Sequence, residues 1–367
     1  LTTALHRPFA TCLRAALLSL AVCGLVAGSR AEGARAVLAK DGTLYEVFTA
    51  AYGQVISGAN AADAVIPVVA LRTTVPGEAP TVEVVGGTVD ALLKFGESLE
   101  YDDSTQTVFV IYTSLQVQGF FADIHVAMRR DGSWSVGRFL PNPGLYFSVN
   151  PRILVTRQAY TDFDSLGEPV TKTRSILSLV WWEESAYSQA RYAALFIEDG
   201  ALKLDDVVAL NLNELTGSGG PTDNRGLPTS SYMYPALQQD QEADGGVVVS
   251  FANLAARTQQ VLRLGFPNDY TKPTVAGRTS NSRTTPIGRG FREFALPAEI
   301  DLPFTLPVGT MISPAGIPTF WWAREGVLNY LSGDAVSLAR RPLAIPLRPD
   351  FPVDSALAVL RSMTEKQ

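Results

Sequence analysis

The sequence predicts an all-β chain, a β-propeller of about five four-stranded blades with a short C-terminal helix. Three observations carry that reading. Four apolar runs of β-forming residues repeat in one register, with Ile111, Trp181, Phe251 and Trp321 at a constant 70-residue spacing. Each run is apolar on both alternating faces, as strands covered from two sides are. Helical periodicity is almost absent until the C-terminus.

Residues 1–31 read as a targeting segment and stand outside the fold. His6, Arg7 and Arg14 form a basic n-region, residues 15–27 are an apolar run of 13, and Ser29-Arg30-Ala31 offers small residues at the −3 and −1 positions of a cleavage site. Ala34-Arg35-Ala36 is a second such site. The run is shorter than the roughly 20 apolar residues of a membrane span, and no other stretch approaches that length. The expectation is an exported chain, periplasmic or extracellular, with no transmembrane segment. Val22 is bulky where a lipobox ending at Cys23 wants Gly or Ala, so ordinary cleavage is expected over lipid anchoring.

The chain of 367 residues has 30 Lys+Arg against 36 Asp+Glu, a formal charge of −6, with 2 His and 2 Cys. Cys12, Cys23 and His6 all fall in the targeting segment, which leaves His125 as the one histidine of the body. That removes disulfides, thiolate nucleophiles, cysteine-ligated zinc, iron–sulfur centres and multi-histidine metal sites. No metal and no cofactor is expected. Net negative charge without a dense Lys/Arg cluster also excludes nucleic acid as the expected partner.

Within the body, residues 32–352, the main runs are 108–113, 178–183, 248–253 and 318–323. A second strand-like segment follows each, at 123–129, 190–196, 258–264 and 326–331. Asp131-Gly132, Asp199-Gly200 and Gly333-Asp334 are hairpin dipeptides at equivalent places, with Asn268-Asp269 a looser version. Extended pieces precede the runs at 97–103, 150–156, 234–240 and 308–313, and segments such as 133–140 and 201–210 supply a fourth strand. Residues 43–83 have the same texture about 64 residues before the next unit and form a divergent fifth one. Stacked four-stranded meanders explain the period, the strand count and the two-sided runs together. At the C-terminus, residues 353–367, Val353, Ala356, Leu357 and Leu360 fall at helical spacing beside Asp354 as a cap, an amphipathic helix docked on the propeller.

The order Tyr-Pro-Ala-Leu-Gln-Gln-Asp from Tyr234 to Asp240, then the Gly-led strand 246–253, with earlier strands closing on Asp131-Gly132-Ser133-Trp134 and Asp199-Gly200-Ala201-Leu202, resembles the sialidase-like propellers of the bacterial-neuraminidase-repeat type. The resemblance covers residues 95–335 and implies the propeller fold. It does not extend to sialidase activity. Arg129-Arg130-Asp131-Gly132 lacks both the Ser/Thr before the Asp and the residue between Asp and Gly of an Asp-box. Asn150-Pro151-Arg152-Ile153 is only an echo of the family's arginine motif.

A ligand is expected where the second strand of each unit turns into the third, because those ends share one face with the long connections between units. That face collects Glu183, Glu184, Arg257, Arg324 and Glu325 as candidate ligand-binding residues. Trp181-Trp182-Glu183-Glu184 and Trp321-Trp322-Ala323-Arg324 repeat aromatic surface followed by charge, the Trp pairs being core and the charges exposed. Glu183 and Glu184 are also the candidate catalytic acids of a glycoside hydrolase, which needs two carboxylates about 5–10 Å apart. With Asp102, Asp103 and Asp123 they are the acids available for such a pair. His125 stands alone in a strand and reads as packed or surface rather than as a catalytic base. Asp162, Asp164, Gly167 and Glu168 begin like a calcium loop, but Leu166 takes a ligand position and Thr173 stands where a bidentate glutamate is needed. A polar turn is expected there. The stretch 271–292 carries Lys272, Arg278, Arg283, Arg289 and Arg292 without an acid and reads as a solvated connection. The function expected is non-catalytic binding of a protein or glycan, with glycan cleavage as the alternative.

Overall fold

The computed structural model describes residues 35–60, 62–90, 92–116, 121–139, 147–184, 188–198, 201–203, 210–212, 232–240, 245–253, 257–266, 287–295, 308–312, 318–324, 327–332 and 343–346. The expected targeting segment, the C-terminal helix, Glu325 and most of 271–292 lie outside these residues.

The described chain is all-β and built of antiparallel sheets in chain order. The first meander is β1 (Arg35–Leu38), β2 (Leu44–Ala51), β3 (Pro67–Thr74) and β4 (Thr81–Val84), with one helical turn, α1 (Tyr52–Val55), after β2. The second is β5 (Leu93–Asp102), β6 (Thr107–Gln116), β7 (Phe121–Arg130) and β8 (Ser133–Phe139). The third is β9 (Phe147–Phe163), β10 (Pro169–Glu184), β11 (Ser188–Glu198) and β12 (Ala201–Lys203), with β13 (Leu210–Asn211) also paired to β11. The second and third meanders join into one nine-stranded sheet through a single parallel pair, Ala122 with Phe147. The fourth is β14 (Tyr232–Gln239), β15 (Val247–Asn253), β16 (Thr258–Gly265) and β17 (Ile287–Ala295). The fifth is β18 (Val308–Ile312), β19 (Pro318–Arg324), β20 (Val327–Ser332) and β21 (Leu343–Pro346).

The four apolar runs are the second strands β6, β10, β15 and β19, and residues 43–83 supply β2, β3 and most of β4. Their two-sided apolarity has a direct physical cause: the core sits between meanders. On β6, Val108, Val110 and Tyr112 pack with Val47, Val69 and Leu71 of the first meander, while Phe109 and Ile111 pack with Leu177, Leu179 and Trp181 of the third. On β10 the alternate residues Ile176 and Val180 meet Leu237, Val249, Phe251 and Leu262 of the fourth. β6 and β10 therefore each contribute to two cores, one per face. Full burial of each such side chain contributes about 1.5–3 kcal/mol, so these seams dominate the stability of the stack.

Local turns follow their residues. Asp131 and Gly132 both have positive φ, 50° and 75°, and close the β7–β8 hairpin between Arg130 and Ser133 as a two-residue turn matched to the strand twist. The calcium-like stretch is the tip of the β9–β10 hairpin. Asp164 Oδ1 accepts from the backbone N–H groups of Leu166 and Glu168 at 2.8 and 2.9 Å, and Asp162 lies within β9 opposite Val170.

Two expectations change. Residues 287–292 are not connection but part of β17, the fourth strand of their meander, paired to β16 from Ile287 to Ala295. Gly288, Gly290 and the arginines hide that strand, whose order comes from pairing rather than from apolar alternation. The repeat register also shifts by one residue in the second meander, as the site geometry shows.

Candidate functional site

The end at which β6, β10 and β15 turn into β7, β11 and β16 is where the repeat carries its chemistry. At that end each first strand bulges. Gly96 and Glu97 stand opposite Tyr112 alone, Asn150 and Pro151 opposite Trp181, and Tyr234 and Pro235 opposite Phe251. A bulge leaves a residue without a ladder bond, which is where proline can sit inside a sheet. Pro151 and Pro235 occupy the same place in successive meanders.

The bulge aligns Tyr112, Trp181 and Phe251 as equivalents. Tyr112, not Ile111, is the repeat position, since Tyr112 faces the first meander as Trp181 faces the second and Phe251 the third. Across to the third strand these aromatics pair with His125, Arg191 and Gln260. Two residues further along, Ser114, Glu183 and Asn253 pair with Asp123, Gln189 and Thr258. Each of these three meanders thus places an aromatic and its cross-strand partner on one face at the loop end.

At the seam of the first and second meanders, Tyr112 stacks on His125 with ring centroids 5.2 Å apart and planes 6° from parallel. Burial, and then the negative charge of Asp90, push the Tyr112 hydroxyl pKa up. Lys94 is buried and ion-paired with Asp90, and its Nζ donates to the Leu92 carbonyl at 2.7 Å. Ser114 Oγ is buried with no hydrogen-bond partner.

At the next seam Glu183 Oε1 accepts from Arg191 Nε at 3.1 Å and is ion-paired with Arg191 Nη2 at 3.1 Å. Glu183 is 1% exposed, and its Oε2 has no partner. At the third seam the buried atoms Trp182 Nε1, Gln260 Oε1 and Thr258 Oγ1 have none either. Leaving such a group unsatisfied costs about 1–3 kcal/mol.

The opposite end of the same seams is closed. Asp102 accepts from Ser104 Oγ at 2.5 Å, Ser104 N at 3.0 Å, Thr105 Oγ1 at 3.0 Å and, across the seam, Ser175 Oγ at 3.1 Å. Burial works to raise its pKa, but these hydrogen bonds outweigh it and hold the carboxyl below the ordinary aspartate value. Gln158 Oε1 accepts from Arg174 Nε and Nη2, and Gln158 Nε2 donates to the Phe266 carbonyl at 3.0 Å. The Arg174 guanidinium lies 4.5 Å from the centroid of the Phe196 ring. Asp240 pairs with Arg263 at 3.5 Å.

The expected site residues fall as follows. Glu183 is at the loop end but is not exposed: its place two residues beyond Trp181 on the same face points it into the seam, and Arg191 holds it there. Glu184 ends β10, its backbone paired with Ser188 and Phe147. Arg257 is exposed, with φ of 53°, immediately before β16. Arg324 ends β19 opposite Val327, and Glu325 is outside the described residues. Glu184, Arg257 and Arg324 thus occupy corresponding ends of three consecutive meanders. Trp181 is fully buried and Trp182 half-buried. Among the described residues no group of three or more His, Cys, Asp or Glu is arranged to hold a metal ion. Sequence reasoning missed Arg191 and Gln260. They follow their aromatic partners at unequal separations, because the turns between second and third strands differ in length, so no fixed spacing reveals them.

The chain matches no protein-family model and no curated protein. Among solved structures it is similar to the Hadza microbial sialidase Hz136, at a TM-score of 0.42 and 9% identity, over 86% of this chain and 58% of that one. The chain thus spans less than two thirds of that sialidase. It is also similar to a protein of unknown function from Dyadobacter fermentans DSM 18053, at a TM-score of 0.42 and 12% identity, over 88% of this chain and 85% of that one. The likeness to sialidases is a weak one, at the level of the fold alone.

Proposed function

We propose that this chain is an exported β-propeller whose loop end is a non-catalytic binding surface for a protein or glycan partner. The observation that carries the reading is the contrast between the two ends of the seams. At the closed end the buried polar groups are paired, Asp102 by Ser104, Thr105 and Ser175, and Gln158 by Arg174 and the Phe266 carbonyl. At the loop end Ser114, Glu183, Trp182, Gln260 and Thr258 keep unused donors and acceptors. Buried polar groups are normally paired, so a cluster of unused ones at one end is what a surface completed by a partner would leave.

The arrangement into a ring has its own support. First strands pack in succession, β1 on β5, β5 on β9, β9 on β14 and β14 on β18. Val68 and Ala70, on the side of β3 turned away from the second meander, have no exposed surface, so the first meander is covered on that side too. Closure of the fifth meander onto the first would supply that cover. Export rests on the apolar run 15–27 behind Arg7 and Arg14.

Non-catalytic binding is favoured because the acid nearest the expected chemistry, Glu183, is engaged by Arg191 in a two-point ion pair. The test is incubation of the purified chain lacking residues 1–31 with a broad glycan array and a panel of immobilised exported proteins, reading binding and cleavage together. Binding without cleavage, in wild type and in Glu183→Gln and Glu184→Gln alike, is expected. Cleavage of any glycan that either substitution abolishes would replace this reading with a glycoside hydrolase.

A further inference from the structure

We propose that the loop end of the seam between the third and fourth meanders receives a peptide bond of an extended, uncharged segment of a protein partner, Trp182 Nε1 donating to its carbonyl and Gln260 Oε1 accepting from its N–H. The proposal rests on the loop-end binding reading and narrows its partner to a protein.

Strand register assigns the faces. Trp182 is paired with Ala190 and Gln260 with Phe251, and cross-strand partners share a face. Ala190 and Phe251 both belong to the apolar cluster that fills this seam. Trp182 and Gln260 therefore look into it from opposite meanders, with Thr258 two residues before Gln260 on the same face. Gln260 is 4% exposed, and Trp182 Nε1, Gln260 Oε1 and Thr258 Oγ1 are each buried without a partner.

The chemistry of these atoms selects the guest. An indole N–H only donates and an amide oxygen only accepts, so the guest brings one acceptor and one donor; the Thr258 hydroxyl serves either. These three groups are uncharged, unlike the Lys94–Asp90 and Glu183–Arg191 pairs at the other two seams, so they match a neutral guest. A peptide bond carries one donor, one acceptor and no charge. A sugar is the poorer guest, since its ring stacks on an open aromatic face and Phe251 is 1% exposed. Trp182 and Thr258 are half-buried although these atoms are covered, so the set stands at the outer end of the seam. Loose packing does not explain the unpaired atoms, because further down the same seam Gln158, Arg174 and the Phe266 carbonyl are mutually bonded.

The test is an NMR titration of the full chain labelled with ¹⁵N at its five tryptophans. Trp182 is assigned by loss of its indole resonance in Trp182→Phe. The probe is N-acetyl-dialanine amide, with a neutral disaccharide in parallel. A saturable downfield shift of the Trp182 indole N–H with the peptide is expected, with binding weakened about tenfold in Gln260→Leu and less so in Gln260→Glu, which keeps the acceptor. Three outcomes overturn the proposal: a Trp182 resonance that ignores the peptide and exchanges with water alone, a response to the disaccharide only, or peptide binding indifferent to both Gln260 substitutions. A disaccharide response leaves the loop-end reading standing. Failure of that broader reading shows instead as no wild-type binding to any glycan or protein of the panel. Unchanged melting of each variant establishes that it is folded.

Discussion

Asp102 and Glu183 are both buried carboxylates, and their surroundings make them opposites. Four hydrogen bonds from Ser104, Thr105 and Ser175 satisfy Asp102. Replacing it with Asn turns an amide donor toward the groups that donate to one of its oxygens, and is expected to cost about 2–3 kcal/mol at neutral pH. Its folded pKa lies below the unfolded value of about 3.9, so this stabilisation is complete above the unfolded pKa and lost as pH falls through the folded one. Urea unfolding of wild type and Asp102→Asn is therefore expected to differ at pH 7 and to converge toward pH 2. Glu183 is held at one oxygen only. Arg191→Leu strands a buried carboxylate and is expected to destabilise by about 3–5 kcal/mol, more than Glu183→Gln, which removes the charge; equilibrium denaturation of both variants checks the order. Glu183 was legible in the sequence as a residue at the end of an apolar run. Its burial was not, because a carboxylate next to two tryptophans reads as the first solvated residue until its partner in the neighbouring strand is known.

At the scale of strands, runs apolar on both faces located the second strands of the repeat, and among the described residues β6 and β10 are buried on both faces. First strands were read short, β9 above all, because beyond Thr156 its length is held by pairing with β10 and not by a core. β17 was missed for the same reason. The one-residue shift from Ile111 to Tyr112 was invisible in the spacing and is set by the bulge at Gly96 and Glu97. Close approach between elements also constrains single positions. A Cβ on Gly245 would lie 2.6 Å from Gln158 Cβ, and Gly245 has φ of 68°. Gly245→Ala is accordingly expected to cost about 1–3 kcal/mol by pushing the third and fourth meanders apart. A lowered urea midpoint with an unchanged slope checks that, and the Gln158–Arg174 network is the contact expected to loosen.

For the molecule as a whole, a ring gathers the loop ends of all five meanders around one centre, whereas an open row spreads them along a line. Packed sheets stand about 10 Å apart, so in an open row the first and fifth meanders would lie about 40 Å from each other. With Cys12 and Cys23 replaced by serine, spin labels at Val65 and Arg324 mark the loop ends of those two meanders. A second pair at Val65 and Gln116 marks two meanders already in contact. Pulsed electron–electron resonance on both pairs is the most direct test. A distance between Val65 and Arg324 within about 10 Å of the neighbouring-pair distance is predicted, as adjacent meanders of a closed stack require. An excess of about 20 Å or more would contradict the ring, and with it a loop-end surface gathered from all five meanders.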